Sequence, residues 1–130
     1  MVATNSGPNG SSNDPFQIRQ GEPLVILVTF SNDNGPLDIT DYTGTTQIRT
    51  GYSDGEVEPV AEGVVTILED TMGASQRGVA QIFYAPSITE YPQIVPGRYV
   101  VDARLIHDSD PDARLMSGLY YVEIEGAITR

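Results

Sequence analysis

Residues 97–125 constrain the fold of this chain most strongly, because they predict two β-strands joined by an acidic turn. The two arms, residues 99–106 and 115–124, are rich in the β-branched and aromatic side chains that suit a pleated sheet. Residues 107–112 between them are mainly turn formers. The segment therefore predicts sheet structure, and it contains no catalytic motif.

Short apolar runs separated by turn residues continue through the rest of the chain. They predict further strands at residues 16–20, 24–30, 43–49, 57–60, 63–69 and 78–84. Thirteen glycines, nine prolines and 39% hydrophobic residues are typical of a turn-rich, all-β domain. Because residues 24–30, LVILVTF, are apolar almost throughout, they predict a buried central strand with Leu27 in the core.

A tyrosine after a short helical turn indicates the type of sandwich. Ser87 and Glu90 match a capping box, which predicts that turn. A turn followed by Tyr99 at a strand start resembles the corner between strands E and F of an immunoglobulin-like fold, where a tyrosine hydroxyl bonds to the backbone. We therefore expect an all-β, immunoglobulin-like β-sandwich of seven or eight strands, with an open barrel as the alternative.

The N-terminus differs in composition from the rest of the chain. Residues 1–14 are rich in Gly, Ser, Asn and Pro and have little to bury, which predicts a flexible N-terminal arm. Residues 15–130 have the size of one domain. Cysteine is absent, so disulfides and thiolate metal sites are excluded, and the sequence predicts no cofactor.

The charge of the chain limits its partners. Eighteen acidic residues against seven arginines give a net charge of −11, which would repel a nucleic-acid backbone. No apolar run approaches the ~20 residues of a membrane helix. We expect neither nucleic acid nor membrane as a partner, and a protein with a basic face suits this chain better.

Catalytic and metal-binding patterns are weak. The single histidine, His107, lies in a turn without a nucleophile nearby in the sequence, so we expect no enzyme activity. Asp108, Asp110 and Asp112 have the alternating spacing that a calcium ion would use. However, Ala113 replaces the glycine of such a loop. We interpret these acids as solvated, with cation binding as the alternative.

Several residues are candidates for an interface. Tyr120 and Tyr121 are adjacent on a predicted strand and must point to opposite faces, so one of them would be exposed as an anchor. Arg49 and Val57 lie on predicted edge strands, where unpaired backbone groups recruit neighbours. The candidate interface residues are Phe16, Arg49, Val57, Tyr120, Tyr121 and Arg130.

Several short motifs follow one another in a fixed order over residues 16–130. They are GE at 21–22, NGPLD at 34–38, ITDYTG at 39–44, TQIR at 46–49, GRYVVD at 97–102, RLMSG at 114–118 and ITR at 128–130. This order resembles that of small phage structural proteins related to the N-terminal domain of siphophage baseplate upper proteins.

This resemblance implies an immunoglobulin-like virion component that is not an enzyme. It would assemble through its β-sandwich and its N-terminal arm, either as a tail or baseplate connector that attaches fibres or as a capsid decoration (cement) protein. Its partners would be tail, baseplate or major capsid proteins and further copies of itself. The residues alone leave a second possibility, a soluble cation- or carbohydrate-binding module.

Overall fold

The computed structural model describes residues 10–11, 13–50, 60–91 and 93–126. Its strands are β1 (Phe16–Arg19), β2 (Leu24–Thr29), β3 (Ser31–Asn32), β4 (Gly35–Pro36), β5 (Tyr42–Thr50), β6 (Ala61–Glu62), β7 (Val64–Ile67), β8 (Val79–Tyr84), β9 (Gly97–His107), β10 (Arg114–Met116) and β11 (Tyr120–Glu125). The helical segments are α1 (Glu69–Met72), a 3₁₀ turn (Ala74–Gln76) and α2 (Pro86–Thr89). The predicted all-β class is confirmed.

Two sheets contain nearly all of these strands. The larger sheet has the order β1-β11-β9-β5-β6, with β10 also paired to β9. The smaller sheet has the order β2-β8-β7. Strands β1 and β11 pair in parallel and the other pairs are antiparallel. The hairpin predicted from residues 63–69 and 78–84 is confirmed by the pairing of β7 with β8.

One hydrophobic core joins the two sheets. Ile26 and Ile82 of the smaller sheet belong to the same buried cluster as Val101, Leu105 and Val122 of the larger one. All five are 1% exposed or less. Side chains alternate between the two faces of a strand, so each sheet buries only one of its faces in this core.

Gly63 lies where the chain changes from one sheet to the other. β6 pairs with β5 in the larger sheet, and β7 pairs with β8 in the smaller one. A Cβ atom on Gly63 would lie 2.5 Å from the carbonyl oxygen of Phe83. Glycine is therefore required for the close approach of the two backbones at this corner.

The predicted tyrosine hydrogen bond is confirmed. The hydroxyl of Tyr99, at the start of β9, donates to the carbonyl oxygen of Val95 at 2.5 Å. The Tyr99 side chain is otherwise part of the core. This bond ties the irregular segment after α2 to the longest strand of the larger sheet.

The capping box predicted before this corner is wrong, although the helical turn is present. The N-cap of α2 is Ala85, which makes no side-chain capping bond, and Pro86 occupies the first turn. Proline there has its φ already fixed for a helix, so the turn starts earlier than Ser87. Instead, the buried Thr89 holds the turn in place, because its hydroxyl donates to the carbonyl oxygen of Glu22 at 2.7 Å.

The prediction of a buried central strand at residues 24–30 is also wrong. β2 lies at the edge of the smaller sheet, and Leu27 is 42% exposed. Leu24, Ile26 and Val28 face the core, whereas Val25 and Leu27 alternate with them. The apolar run is continuous because both faces of the strand carry apolar side chains, although the core covers only one face.

The chain before β1 folds back on itself. The amide of Gly10 donates to the carbonyl oxygen of Asp14 at 2.9 Å, and its carbonyl oxygen accepts from the amide of Tyr121 at 2.6 Å. Gly10 has a φ of 79° and its Cβ position would lie 2.6 Å from the ring of Phe16. The arm boundary predicted at residue 14 therefore falls within this turn. The flexibility predicted for residues 1–9 and 12 lies outside the described residues.

A buried polar cluster connects the two sheets. The Tyr84 hydroxyl lies 2.9 Å from the hydroxyl oxygen of Thr46, which in turn donates to the carbonyl oxygen of Asp102 at 2.8 Å. Since the single proton of Thr46 goes to that carbonyl, Tyr84 is the donor to Thr46. Burial raises the pKa of Tyr84, because a phenolate in the core would lose its hydration.

Alkaline pH should destabilise the chain through Tyr84. Above about pH 10 an unfolded tyrosine ionises, whereas the folded state keeps Tyr84 neutral, so the free energy of unfolding should fall as pH rises. Urea denaturation across this range should show a smaller fall for Tyr84→Phe than for the unsubstituted chain. Tyr91→Phe is the control, because Tyr91 is 69% exposed. Equal falls for both variants would contradict this role of Tyr84.

Candidate docking surface

The outward face of the smaller sheet carries no charged side chain. We define the apolar face as Val25, Leu27, Thr29, Val64, Thr66, Val79, Gln81 and Phe83. Five of these eight side chains are hydrophobic, and the others are two threonines and one glutamine. Such a face is unusual on a chain in which 19% of residues are charged.

The strand register arranges these side chains in rows. Val25, Phe83 and Val64 lie side by side across all three strands of the sheet. Leu27 lies in the next row, opposite Gln81. Val64 is 59% exposed and Leu27 42% exposed. Contiguous exposed apolar side chains of this kind are typical of surfaces that bind another protein.

The larger sheet presents the opposite chemistry on its outward face. Its charged side chains are Arg19, Arg49, Glu62, Arg98, Asp102, Arg104, Arg114, Glu123 and Glu125. Among them, Arg98 and Glu123 are joined by an ion pair of 2.7 Å. The absence of charge from the apolar face therefore distinguishes the two sheets.

Arg49 is buried in an ion pair within this charged face. Its guanidinium lies 3.8 Å from Oδ1 of Asp102, and both side chains are 9% exposed. It also contacts the side chain of Gln47. Arg104 approaches the other oxygen of Asp102 at 3.5 Å. Arg49 is thus already covered by its own chain and leaves little surface for the interface role that was predicted for it.

The outer edge of β2 has no strand partner among the described residues. β2 pairs only with β8 there. The Phe30 amide donates to the Gly78 carbonyl oxygen, which shows that Phe30 and every second residue before it direct their backbone groups toward β8. By alternation, the backbone groups of Val25, Leu27 and Thr29 point to the outer edge. Natural edge strands are usually protected by charges, proline or a bulge, and the sequence LVILVT of β2 has no charge and no proline.

A groove of about 330 Å³ adjoins the far end of this edge. Val28 and Phe30 line one side, and Leu115 and Tyr120 line the other. The groove therefore lies between the end of β2 and the segment that leads into β11. Thr29, Ser31 and Ser117 also line it, so its surface is of mixed polarity.

The remaining interface candidates have different environments. Phe16 is 3% exposed and stacks on Tyr120, with ring centroids 6.0 Å apart, so it belongs to the core. Tyr120 is half-buried in that contact and lines the groove. Tyr121 is half-buried on the opposite face of β11. Val57 and Arg130 lie outside the described residues.

Two aspartates of the predicted cation loop accept hydrogen bonds from within the chain. Asp108 accepts from the hydroxyl of Thr43 at 2.6 Å, and Asp110 accepts from the amide of Asp112 at 3.2 Å. All three aspartates are exposed. Within the part of the chain that is described, no group of three or more His, Cys, Asp or Glu residues is arranged to hold a metal ion.

Sequence reasoning missed the apolar face. Its members occur in runs that favour burial, and nothing in the local sequence distinguishes a face covered by a second sheet from an uncovered one. Residues 24–30 and 78–84 also lack charge throughout, but that by itself favours burial as well.

No protein-family model matches this chain, and no curated protein matches it significantly. Among the described residues, no helix has the length and apolar character needed to cross a membrane.

Proposed function

We propose that this chain is a non-enzymatic bacteriophage virion structural protein that assembles through the apolar face and the open edge of β2. The motif order of residues 16–130 supports the virion assignment. The observation that carries the assembly role is the uncharged outward face, on which Leu27 and Val64 are exposed. Burying such a face removes apolar surface from water without desolvating charge.

The strand arrangement supports an immunoglobulin-like fold for this role. β2, β8 and β7 would take the places of strands B, E and D, and β5, β9 and β11 those of C, F and G. Tyr99 makes its backbone bond at the corner before β9, where that fold places a tyrosine. With β1, the described residues form seven strands of four residues or more: β1, β2, β5, β7, β8, β9 and β11.

The pairing of β1 explains why the docking edge is open. In a constant-type immunoglobulin sheet, the first strand belongs to the same sheet as strands B, E and D. Here β1 pairs in parallel with β11 of the larger sheet. Among the described residues the outer edge of β2 is therefore unpaired, and a neighbouring chain could add a strand there as sheet-edge recognition commonly does.

Locating this polypeptide in purified phage particles tests the proposal. Reconstruction of labelled particles should place it on the shell as a decoration protein, or at the tail or baseplate as a connector. Incorporation of Leu27→Glu should fall sharply, whereas Ile106→Glu should incorporate normally, because Ile106 is 37% exposed on the other sheet. Absence from particles would overturn the proposed function.

A further inference from the structure

We propose that β2 of one copy pairs antiparallel with β2 of a second copy around a two-fold axis. The two three-stranded sheets would then form one six-stranded sheet, and their apolar faces would become continuous. This names a partner for the surface on which the proposed function rests. Its test needs only the isolated chain, so its failure can be distinguished from failure of the virion assignment.

The backbone of β2 is suited to pairing with itself. Val25, Leu27 and Thr29 direct their backbone groups outward, so an axis at Leu27 would place Leu27 opposite its own copy and Val25 opposite Thr29. In an antiparallel pair the same residues meet on both sides, as a two-fold contact requires. No proline or charge interrupts the six residues.

The lack of charge on β2 allows a second copy to occupy this edge, whereas the acidic remainder of the surface suits a basic partner. Two copies of a chain with a net charge of −11 repel each other through most of their surfaces. β2 and the apolar face have no charge, so approach along this edge brings the fewest like charges together. The exposed Leu27 side chains would meet on the outward face, next to Val25 of each copy.

Cysteine cross-linking tests the register, since the chain has no native cysteine. Opposed residues of a hydrogen-bonded antiparallel pair have Cα atoms about 5.5 Å apart, which is within the range of a disulfide. Leu27→Cys should therefore form a covalent dimer on mild oxidation. Ile106→Cys is the matched control, with 37% exposure against 42%, and should stay largely monomeric. Equal cross-linking of both variants, or none for Leu27→Cys, would overturn the proposal.

Light scattering with size-exclusion chromatography tests the energetic argument. The unsubstituted chain should show a dimer whose fraction increases with protein concentration. That fraction should also rise toward about 1 M salt, where charges are screened beyond about 3 Å. A dimer that weakens with salt, or a monomer at every concentration, would contradict the proposal.

Variants of equal net charge locate the interface. Leu27→Glu should abolish the dimer by placing two carboxylates opposite each other, whereas Ile106→Glu should preserve it. Both sites are exposed, so circular dichroism should show both variants folded. Removal of residues 1–9 should also preserve the dimer. Loss of the dimer in that truncation, but not in Leu27→Glu, would assign the contact to the N-terminal segment and overturn the proposal.

Discussion

Truncation of Leu105 to alanine should lower the free energy of unfolding by about 2 to 5 kcal/mol. Leu105 is fully buried on β9, where its side chain belongs to the core shared by the two sheets. Its removal would lose apolar contacts and leave a cavity that a sandwich of two sheets cannot easily close. Chemical denaturation at neutral pH, read by circular dichroism, measures the loss.

Leu27→Ala is the matched control for this prediction. The same atoms are removed, but Leu27 is 42% exposed at a sheet edge, so the loss should be about 1 kcal/mol or less. These measurements belong at low protein concentration, so that self-association does not contribute. A Leu27→Ala variant as destabilised as Leu105→Ala would mean that β2 is covered on both faces.

Replacement of Asp102 by alanine should cost about 3 to 5 kcal/mol, because it leaves the buried guanidinium of Arg49 without its carboxylate. Both side chains of this pair are 9% exposed. Glu123→Ala is the control, since it breaks the exposed ion pair with Arg98 and should cost about 1 kcal/mol or less.

A double variant distinguishes the stability that the ion pair contributes from the cost of removing only one of its two charges. Asp102→Ala combined with Arg49→Met should recover much of the lost stability, because the buried guanidinium that loses the Asp102 carboxylate is then removed as well. The same denaturation experiment gives the comparison. If the double variant is less stable than Asp102→Ala, the guanidinium stabilises the fold through contacts other than Asp102.

Local patterns were sufficient to predict most strands and the Tyr99 corner. The strand at 16–20 is observed as Phe16–Arg19, and the predicted strand at 78–84 as Val79–Tyr84. Alternating side chains and turn residues are short-range signals, so they can be recognised without knowledge of the fold. The bond from Tyr99 to Val95 spans only four residues, so it could also be predicted from the local sequence.

Features that depend on strand order were not predictable in this way. Leu27 is exposed because it lies on the outward face of β2, which is an edge strand among the described residues, where β1 pairs with β11 and not with β2. Arg49 is buried because the register of β5 against β9 brings it beside Asp102. Each requires contacts between residues far apart in the chain.

The docking role of the β2 edge is most directly tested by amide hydrogen exchange at Val25, Leu27 and Thr29. In the dilute isolated chain these amides point to an edge without a strand partner among the described residues and should exchange quickly, whereas those of Ile26 and Val28, bonded to β8, should be protected. In particles that contain the chain, all three outward amides should become protected. Exchange that stays fast in the assembled particles would contradict the account.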